Sequence, residues 1–242
     1  GARGSASDSP NTDSERCVLR VWRQQLHAFV TATFASPGGP SVQLLTSAGY
    51  LSPARIYAPP MVADLSGIKR RAGDYAIDQA ADAMTRPTVT GDAIKHYRTL
   101  AGDQQAIAFC CSINHAVSVR DSFATTDISS ELLLGNTSDR DAVVGRFANG
   151  ETRILVTVDV VSEGFDIPAA GCAILLRPTQ SLGLYLQQVG RVLRPAPGKV
   201  HAIILDHVGN VTRHGWPDDV RPWSLEHGAP RASGSAAPSV RT

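Results

Sequence analysis

Long apolar runs are missing from this sequence of 242 residues. No stretch approaches the roughly 18 to 20 apolar residues that cross a bilayer. The polar, Ser-rich segment 1–16 also lacks the apolar centre of a secretory signal peptide. These absences disfavour secretion and a membrane partner, and they predict a cytoplasmic protein.

Cysteine and unbalanced charge are also scarce. The four cysteines form no CxxC pair, and Cys110 and Cys111 are adjacent within an apolar run, as is typical of core residues in a reducing compartment. The 23 Lys and Arg residues against 22 Asp and Glu residues leave a formal charge of +1. A protein that binds nucleic acid through bulk positive potential usually has a visible basic excess, so any nucleic-acid contact is expected to be local.

Motifs of several other chemistries are absent. The seven histidines make no HExxH or Cys/His spacing, which disfavours a metal site. The sequence also has no GxSxG and no GxGxxG, which disfavours an esterase and a dinucleotide enzyme.

The sequence pattern changes near Gln104, from irregular segments to a regular alternation of apolar runs and helical periodicity. Both ends, 1–16 and from about 228 to 242, are rich in Gly, Ser, Ala and Pro and are predicted to be disordered. We interpret 17–104 as a partly helical leader, 105–213 as one regular domain and 214–242 as a tail. Within the leader, the pattern predicts helices at Val42–Ala48, at Asp74–Met84 and from a Thr90 cap, with an extended segment at Ala54–Ala58.

After Gln104, short apolar runs alternate with segments of helical periodicity. Uninterrupted apolar strands indicate burial on both faces and hence a parallel sheet. Asn114 and Thr137 are predicted to cap two of the intervening helices. The predicted fold is a doubly wound α/β domain whose ligands lie at the carboxyl ends of its strands. The predicted strands are Ala106–Cys111, Glu131–Leu134, Arg153–Val158, Cys172–Leu176 and Ala202–Leu205.

The last helix of this domain carries Gln187, Arg191 and Arg194 at spacings of four and three residues, which places them on one face. Two guanidinium groups beside an amide suit a polyphosphate, because Arg makes bidentate bonds to phosphate oxygens and stays charged. The alternative is a solvated arginine-bearing face. An earlier polar stretch at the end of a buried strand contains Glu163, Gly164 and Asp166, and it reads either as a ligand loop or as an ordinary turn.

Together these segments resemble the C-terminal RecA-like lobe of superfamily 2 DEAD/DEAH-type helicases, especially those of bacteria and phages. Gln187–Arg194 is similar to motif VI, the EGFDIP segment at 163–168 to motif V, and Ala106–Ser112 to the strand of motif IV. The segment Gly135–Val156 resembles the connection between motifs IV and V. The likeness covers about 105–213 and implies a RecA-like fold.

The resemblance implies roles for individual residues. Arg194 becomes the arginine finger, Arg191 also faces the γ-phosphate of ATP, and Gln187 positions both arginines. Glu163, Gly164 and Asp166 become the nucleotide-binding residues on the ribose side. The sugar-phosphate backbone of one nucleic-acid strand is expected at Ser112, Asn114, Gly135, Asn136, Thr137 and Thr157.

The other half of an ATP site is not found in these 242 residues. There is no GxxxxGK[ST], and Gly198-Lys199 is followed by Val200. No acidic box of the DEAD or DEAH kind that holds Mg²⁺ is present, although Thr31–Thr33 resembles motif III at the end of a first lobe. We therefore expect ATP with Mg²⁺ to be shared with a first lobe that is on another chain or has been lost.

The resulting hypothesis is the motor lobe of an ATP-dependent helicase or translocase, with DNA as the favoured nucleic acid and no hydrolysis by the chain alone. Two alternatives stay open. One is a module that binds nucleic acid or regulates a helicase without hydrolysis, and the other is a fragment of a restriction-enzyme translocase.

Overall fold

A single parallel sheet organises the part of the chain that the computed structural model describes, residues 40–59, 65, 67–71, 73–158, 170–219 and 221. The strands are β1 Ala54–Tyr57, β2 Arg70–Arg71, β3 Asp74–Tyr75, β4 Ala106–Phe109, β5 Ser130–Leu132, β6 Ile154–Thr157, β7 Cys172–Leu175 and β8 Ala202–Asp206. Six of them lie in the order β1-β8-β7-β4-β6-β5, and every neighbouring pair is parallel. The predicted doubly wound α/β fold is confirmed.

Seven α-helices connect or cover these strands in the described part of the chain. They are α1 Val42–Ser47, α2 Ile77–Met84, α3 Pro87–His96, α4 Ile113–Ala124, α5 Arg140–Ala148, α6 Leu182–Val192 and α7 Asn210–His214. A π-helical turn, Tyr97–Ala101, continues α3.

The apolar runs form the central strands because both faces of those strands are covered. Every residue of β4, β6, β7 and β8 is buried. The edge strand β5 is only half-buried. It carries Glu131, whose carboxylate accepts a bidentate pair of hydrogen bonds from Arg146 of α5. The strand predicted at Glu131–Leu134 thus begins one residue earlier and ends at Leu132.

Residues of the predicted leader complete the opposite edge of the sheet. β1 pairs with β8 over four residues, from Ala54 opposite Ala202 to Tyr57 opposite Leu205. The sequence predicted an extended segment here but placed it outside the regular domain. The sheet therefore has six strands where five apolar runs were recognised.

The predicted starts of two leader helices were wrong. Thr90 does not cap a helix, because α3 begins at Pro87 with Arg86 as the N-cap residue, and Thr90 lies inside α3. The helix predicted to start at Asp74 begins at Ile77, because Asp74 belongs to the short antiparallel ribbon of β2 and β3.

The two caps predicted in the regular domain were also wrong. Ser112 caps α4, since its Oγ accepts a hydrogen bond of 3.2 Å from the His115 amide, and Asn114 lies inside the helix. Thr137 Oγ1 accepts from the Leu134 amide at 2.9 Å and so closes a turn before α5. The predictions for 1–16, for Thr31–Thr33 and for the end of the tail lie outside the described residues.

Candidate functional site

The predicted nucleic-acid-binding residues lie where three strands of the sheet reach their carboxyl ends. Ser112 follows β4, Gly135 and Thr137 follow β5, and Thr157 is the last residue of β6. Parallel strands present their carboxyl ends along one edge of the sheet, so these residues share that edge. Glu163, Gly164 and Asp166 lie outside the described residues.

The helix α6 presents the predicted polyphosphate-binding residues. Its Tyr185, Leu186 and Val189 are buried against the sheet, whereas Gln187 and Arg191 are half-buried. Ser181 caps the helix by accepting a hydrogen bond from the Leu184 amide. The helix ends at Val192, so Arg194 stands two residues beyond it and not on the predicted helical face.

Two groups, one from a distant segment and one from the loop after α6, hold the backbone next to Arg194. The Ser52 amide, just before β1, donates to the Leu193 carbonyl at 2.7 Å. Lys199 Nζ donates to the carbonyls of Val192 and Arg194, the latter at 2.8 Å. A lysine ammonium at a helix C-terminus satisfies carbonyls that have no intrahelical donor and neutralises the negative end of the helix dipole.

The same ammonium reaches the end of the segment between β6 and β7. Lys199 Nζ donates to the Ala170 carbonyl at 2.8 Å, and burial lowers the pKa of Lys199 to about 8. Lys199 thus links the backbone after 159–169 to the backbone of Arg194. Sequence reasoning considered this lysine only as part of a phosphate loop, and its role depends on contacts that spacing does not reveal.

A second clamp holds the turn Arg177–Thr179 that leads into α6. Asn210, completely buried at the start of α7, accepts from the Thr179 amide at 3.1 Å through Oδ1 and donates to the Arg177 carbonyl at 3.1 Å through Nδ2. Asp74 accepts from the Thr179 hydroxyl at 2.7 Å and from the Gln180 amide at 2.6 Å. The position of α6 therefore depends on β3 and α7 as well as on the sheet.

The turn between β4 and α4 contains Ser112 and packs on the buried side chain of His115. His115 Nδ1 accepts a hydrogen bond from the Cys111 amide at 3.3 Å, and burial lowers the pKa of His115 to about 4. The imidazole is consequently neutral near pH 7, as an acceptor nitrogen requires. Asn114 is exposed beside this turn.

The turn after β5 is closed by Thr137, and Gly135 and Asn136 at its tip are exposed. Thr157 differs from these residues, because it is 2 % exposed and its carbonyl accepts from the Cys110 amide at 2.8 Å. The exposed groups at this edge thus belong to the two loops, whereas Thr157 is buried at the end of β6.

A cavity of about 620 Å³ opens at the same edge. Its lining includes Arg177, after β7, and Cys111, after β4, together with Arg71, Asp74 and Ile77 from the leader. Arg177 also donates to the Val158 carbonyl at 3.1 Å and so connects the ends of β6 and β7. Sequence reasoning missed Arg177, although a cation directly after a central strand of a parallel sheet is a signal that can be found.

The described part of the chain contains no group of three or more His, Cys, Asp or Glu side chains that could hold a metal ion. Within that part, no helix has the length and apolar character needed to cross a bilayer.

The sequence is similar to a helicase family and to proteins of a phage and of yeast. A family model described as the helicase conserved C-terminal domain matches residues 91–196. A 51.5 kDa protein of a Lactococcus phage (isolate 7-9) is 34% identical over 204 residues, which are 84% of this chain and 44% of the phage protein. The putative ATP-dependent helicase IRC3 of Saccharomyces cerevisiae is 28% identical over 165 residues, covering 66% of this chain and 24% of the yeast protein.

Among solved structures, a fragment of a putative HsdR subunit of a type I restriction enzyme from Vibrio vulnificus YJ016 superimposes with a TM-score of 0.56. The alignment covers 87% of this chain and 41% of that one at 21% sequence identity, which supports a common fold. The chain spans less than half the length of each of these three proteins.

Proposed function

Because the chain carries the conserved C-terminal domain of a superfamily 2 helicase, its second RecA-like lobe, we propose that it supplies the arginine finger and the strand-gripping loops of an ATP-dependent motor. The observation that carries this proposal is the fixed backbone at the end of α6. Ser52 and Lys199 hold the carbonyls of residues 192–194 from two sides, and so they restrict where the Arg194 side chain can reach.

The proposed catalytic role of Arg194 is to neutralise charge on the phosphoryl group as it is transferred. A guanidinium that is already positioned stabilises this charge without reorganisation during the reaction. In other nucleotide hydrolases an arginine finger contributes about 10³ to 10⁵ in rate. Arg191, three residues earlier in the last turn of α6, acts on the same phosphate in this proposal, and Gln187 positions both guanidinium groups.

ATP is bound between two lobes in this proposal, with Glu163, Gly164 and Asp166 on its ribose side. Bound Mg²⁺ would supply positive charge that offsets the negative charge of the phosphates. In this proposal a phosphate loop and an acidic box on the first lobe would hold the ion. The chain alone therefore hydrolyses no measurable ATP.

The proposed grip on nucleic acid uses the exposed loops at the carboxyl edge. Ser112, Asn114, Gly135, Asn136 and Thr137 offer hydroxyls, amides and backbone groups to the phosphates and sugars of one strand, with Thr157 below them. Such contacts fix the register of a strand without reading its sequence, and they do not require a strongly basic protein. We propose DNA as the strand that is bound.

A complementation assay tests the function. ATP turnover is measured for the chain alone, for a separately expressed first lobe that carries a phosphate loop and an acidic box, and for the mixture, each with and without single-stranded DNA. We expect turnover only in the mixture and stimulation by DNA. Turnover by the chain alone would contradict the two-lobe site, whereas DNA binding with no turnover in the mixture would favour a non-hydrolysing binding module.

A further inference from the structure

Three consecutive cations, Lys69, Arg70 and Arg71, lie on the ribbon of β2 and β3, outside the matched helicase domain. All three are exposed. None of them is part of an ion pair in the described part of the chain. The near-zero charge of the whole protein therefore hides a local basic patch.

Hydrogen bonds fix the orientation of this ribbon. The Ala76 amide donates to the Lys69 carbonyl at 2.8 Å, and Gln79 Oε1 accepts from the Lys69 amide at 2.9 Å. Asp74, paired with Arg71, is bonded to Thr179 and Gln180 in the turn before α6. The ribbon is thus attached to the segment that also positions the proposed finger.

Strand alternation divides the three cations between two faces. Arg70 and Arg71 form β2, and successive side chains of a strand point to opposite sides, so these two lie on opposite faces. Lys69 directly precedes β2, and its carbonyl accepts from the Ala76 amide, so we extend the alternation to it and place it on the face of Arg71, roughly 7 Å away. Arg71 lines the 620 Å³ cavity together with Arg177 and Cys111. Cys111 directly precedes Ser112, so the face with Arg71 adjoins the proposed path of the strand.

We propose that Lys69 and Arg71 bind phosphates of the nucleic-acid strand and extend the grip of the lobe beyond the helicase motifs. The inference rests on the proposed strand-gripping function. Each phosphate contact releases condensed counterions, so each contact contributes both to affinity and to its dependence on salt. The ribbon supplies the positive charge that the two polar loops at this edge lack.

The test measures binding of the full chain to a fluorescently labelled 20-nucleotide oligo(dT) by anisotropy between 50 and 200 mM NaCl. For single strands the slope of log K against log[salt] is about −0.7 per phosphate contact, which corresponds to about 5-fold in affinity per contact at 0.1 M salt. Lys69→Gln/Arg71→Gln is therefore expected to reduce the magnitude of the slope by about 1.4 and to weaken binding about 25-fold.

Arg70→Gln is the matched control, because it removes the same unit of charge from the opposite face of the same ribbon. We expect it to leave the slope unchanged, and Arg71→Lys to retain the slope of the wild type. Thermal melting of each variant checks that the fold is intact. Equal effects of Arg70→Gln and Arg71→Gln, or an unchanged slope in the double variant, would overturn the inference.

A variant outside the ribbon, Ser112→Ala, separates this inference from the proposed function. If Ser112→Ala weakens binding while Lys69→Gln/Arg71→Gln does not, the loops bind the strand and the ribbon does not. If the wild-type chain binds no oligonucleotide at 50 mM salt, both the ribbon contact and the strand grip are wrong.

Discussion

Lowering the pH from 7 to 5 is expected to destabilise the turn that carries Ser112, because this turn depends on a neutral histidine. His115 is 1 % exposed, and its Nδ1 accepts from the Cys111 amide. Protonation converts Nδ1 into a donor, so the hydrogen bond is lost and a charge is placed in the core.

The size of the effect follows from the difference between the pKa of His115 in the unfolded and folded protein. Burial lowers this pKa from 6.5 to about 4. Between these values the unfolded chain binds more protons than the folded one, so the free energy of unfolding decreases as the pH falls from about 6.5 to about 4. At 1.36 kcal/mol per pKa unit, protonation of His115 lowers the free energy of unfolding by about 2 kcal/mol at pH 5, which is about 1.5 units below the pKa of the unfolded state. Burial also lowers the pKa of His207 to about 4, which adds a similar loss.

Urea unfolding at pH 7 and at pH 5 measures this loss. In His115→Asn the amide oxygen is placed to accept from the Cys111 amide and does not titrate, so the decrease between the two pH values is expected to be about 2 kcal/mol smaller than in the wild type. His207→Asn serves as the second histidine variant and should likewise make the decrease about 2 kcal/mol smaller. A His115→Asn protein that loses as much stability as the wild type would refute the reasoning.

Two other changes test the clamps around α6. Asn210→Ala removes the partner of the buried Thr179 amide and of the partly buried Arg177 carbonyl, and it is expected to lower the free energy of unfolding by about 1 to 3 kcal/mol in urea titrations. Asn149→Ala, at an exposed helix end, should stay within about 0.5 kcal/mol of wild type, and equal losses would contradict the clamp. Lys199→Met removes the donor to the backbone of Arg194 and is expected to lower the kcat of the complemented ATPase more than it raises KM, with partial recovery in Lys199→Arg. A change in KM alone would show that Lys199 does not position the finger.

The central strands could be predicted because strands that are buried on both faces have continuous apolar sequences. β4, β6, β7 and β8 are continuous apolar runs, and each is covered on both faces. β1 has no such run, since an edge strand with the exposed Arg55 needs less apolar surface. Its place in the sheet depends on pairing with β8, almost 150 residues later, which no local pattern reveals.

The helix starts were harder to predict, because several neighbouring residues are competent caps. Both Ser112 and Asn114 can accept from a helix amide, and the structure selects Ser112, which lies two residues earlier. The spacing that correctly grouped Gln187 and Arg191 also assumed a helix through Arg194. The helix stops at Val192, where Lys199 satisfies its last carbonyls.

The sequence motifs indicate where the candidate site residues lie, but they do not reveal the side chains that hold those residues in place. Ser112, Gly135 and Thr157 lie at or just after the carboxyl ends of their strands, as the α/β pattern requires. Asp74, Lys199 and Asn210 act through hydrogen bonds that exist only in the folded chain, and Asp74 lies 105 residues from Thr179. Side chains of this kind have no spacing that marks them in the sequence.

Steady-state ATP hydrolysis by the chain mixed with its first lobe and single-stranded DNA, comparing Arg194→Ala with the wild type, tests the central claim most directly. The claim predicts that kcat falls by about 10³ or more while KM for ATP changes little, because the finger acts on the transition state. Arg120→Ala, which removes an arginine paired with Asp121 on α4, should leave both constants unchanged. A kcat for Arg194→Ala equal to that of Arg120→Ala would contradict the account.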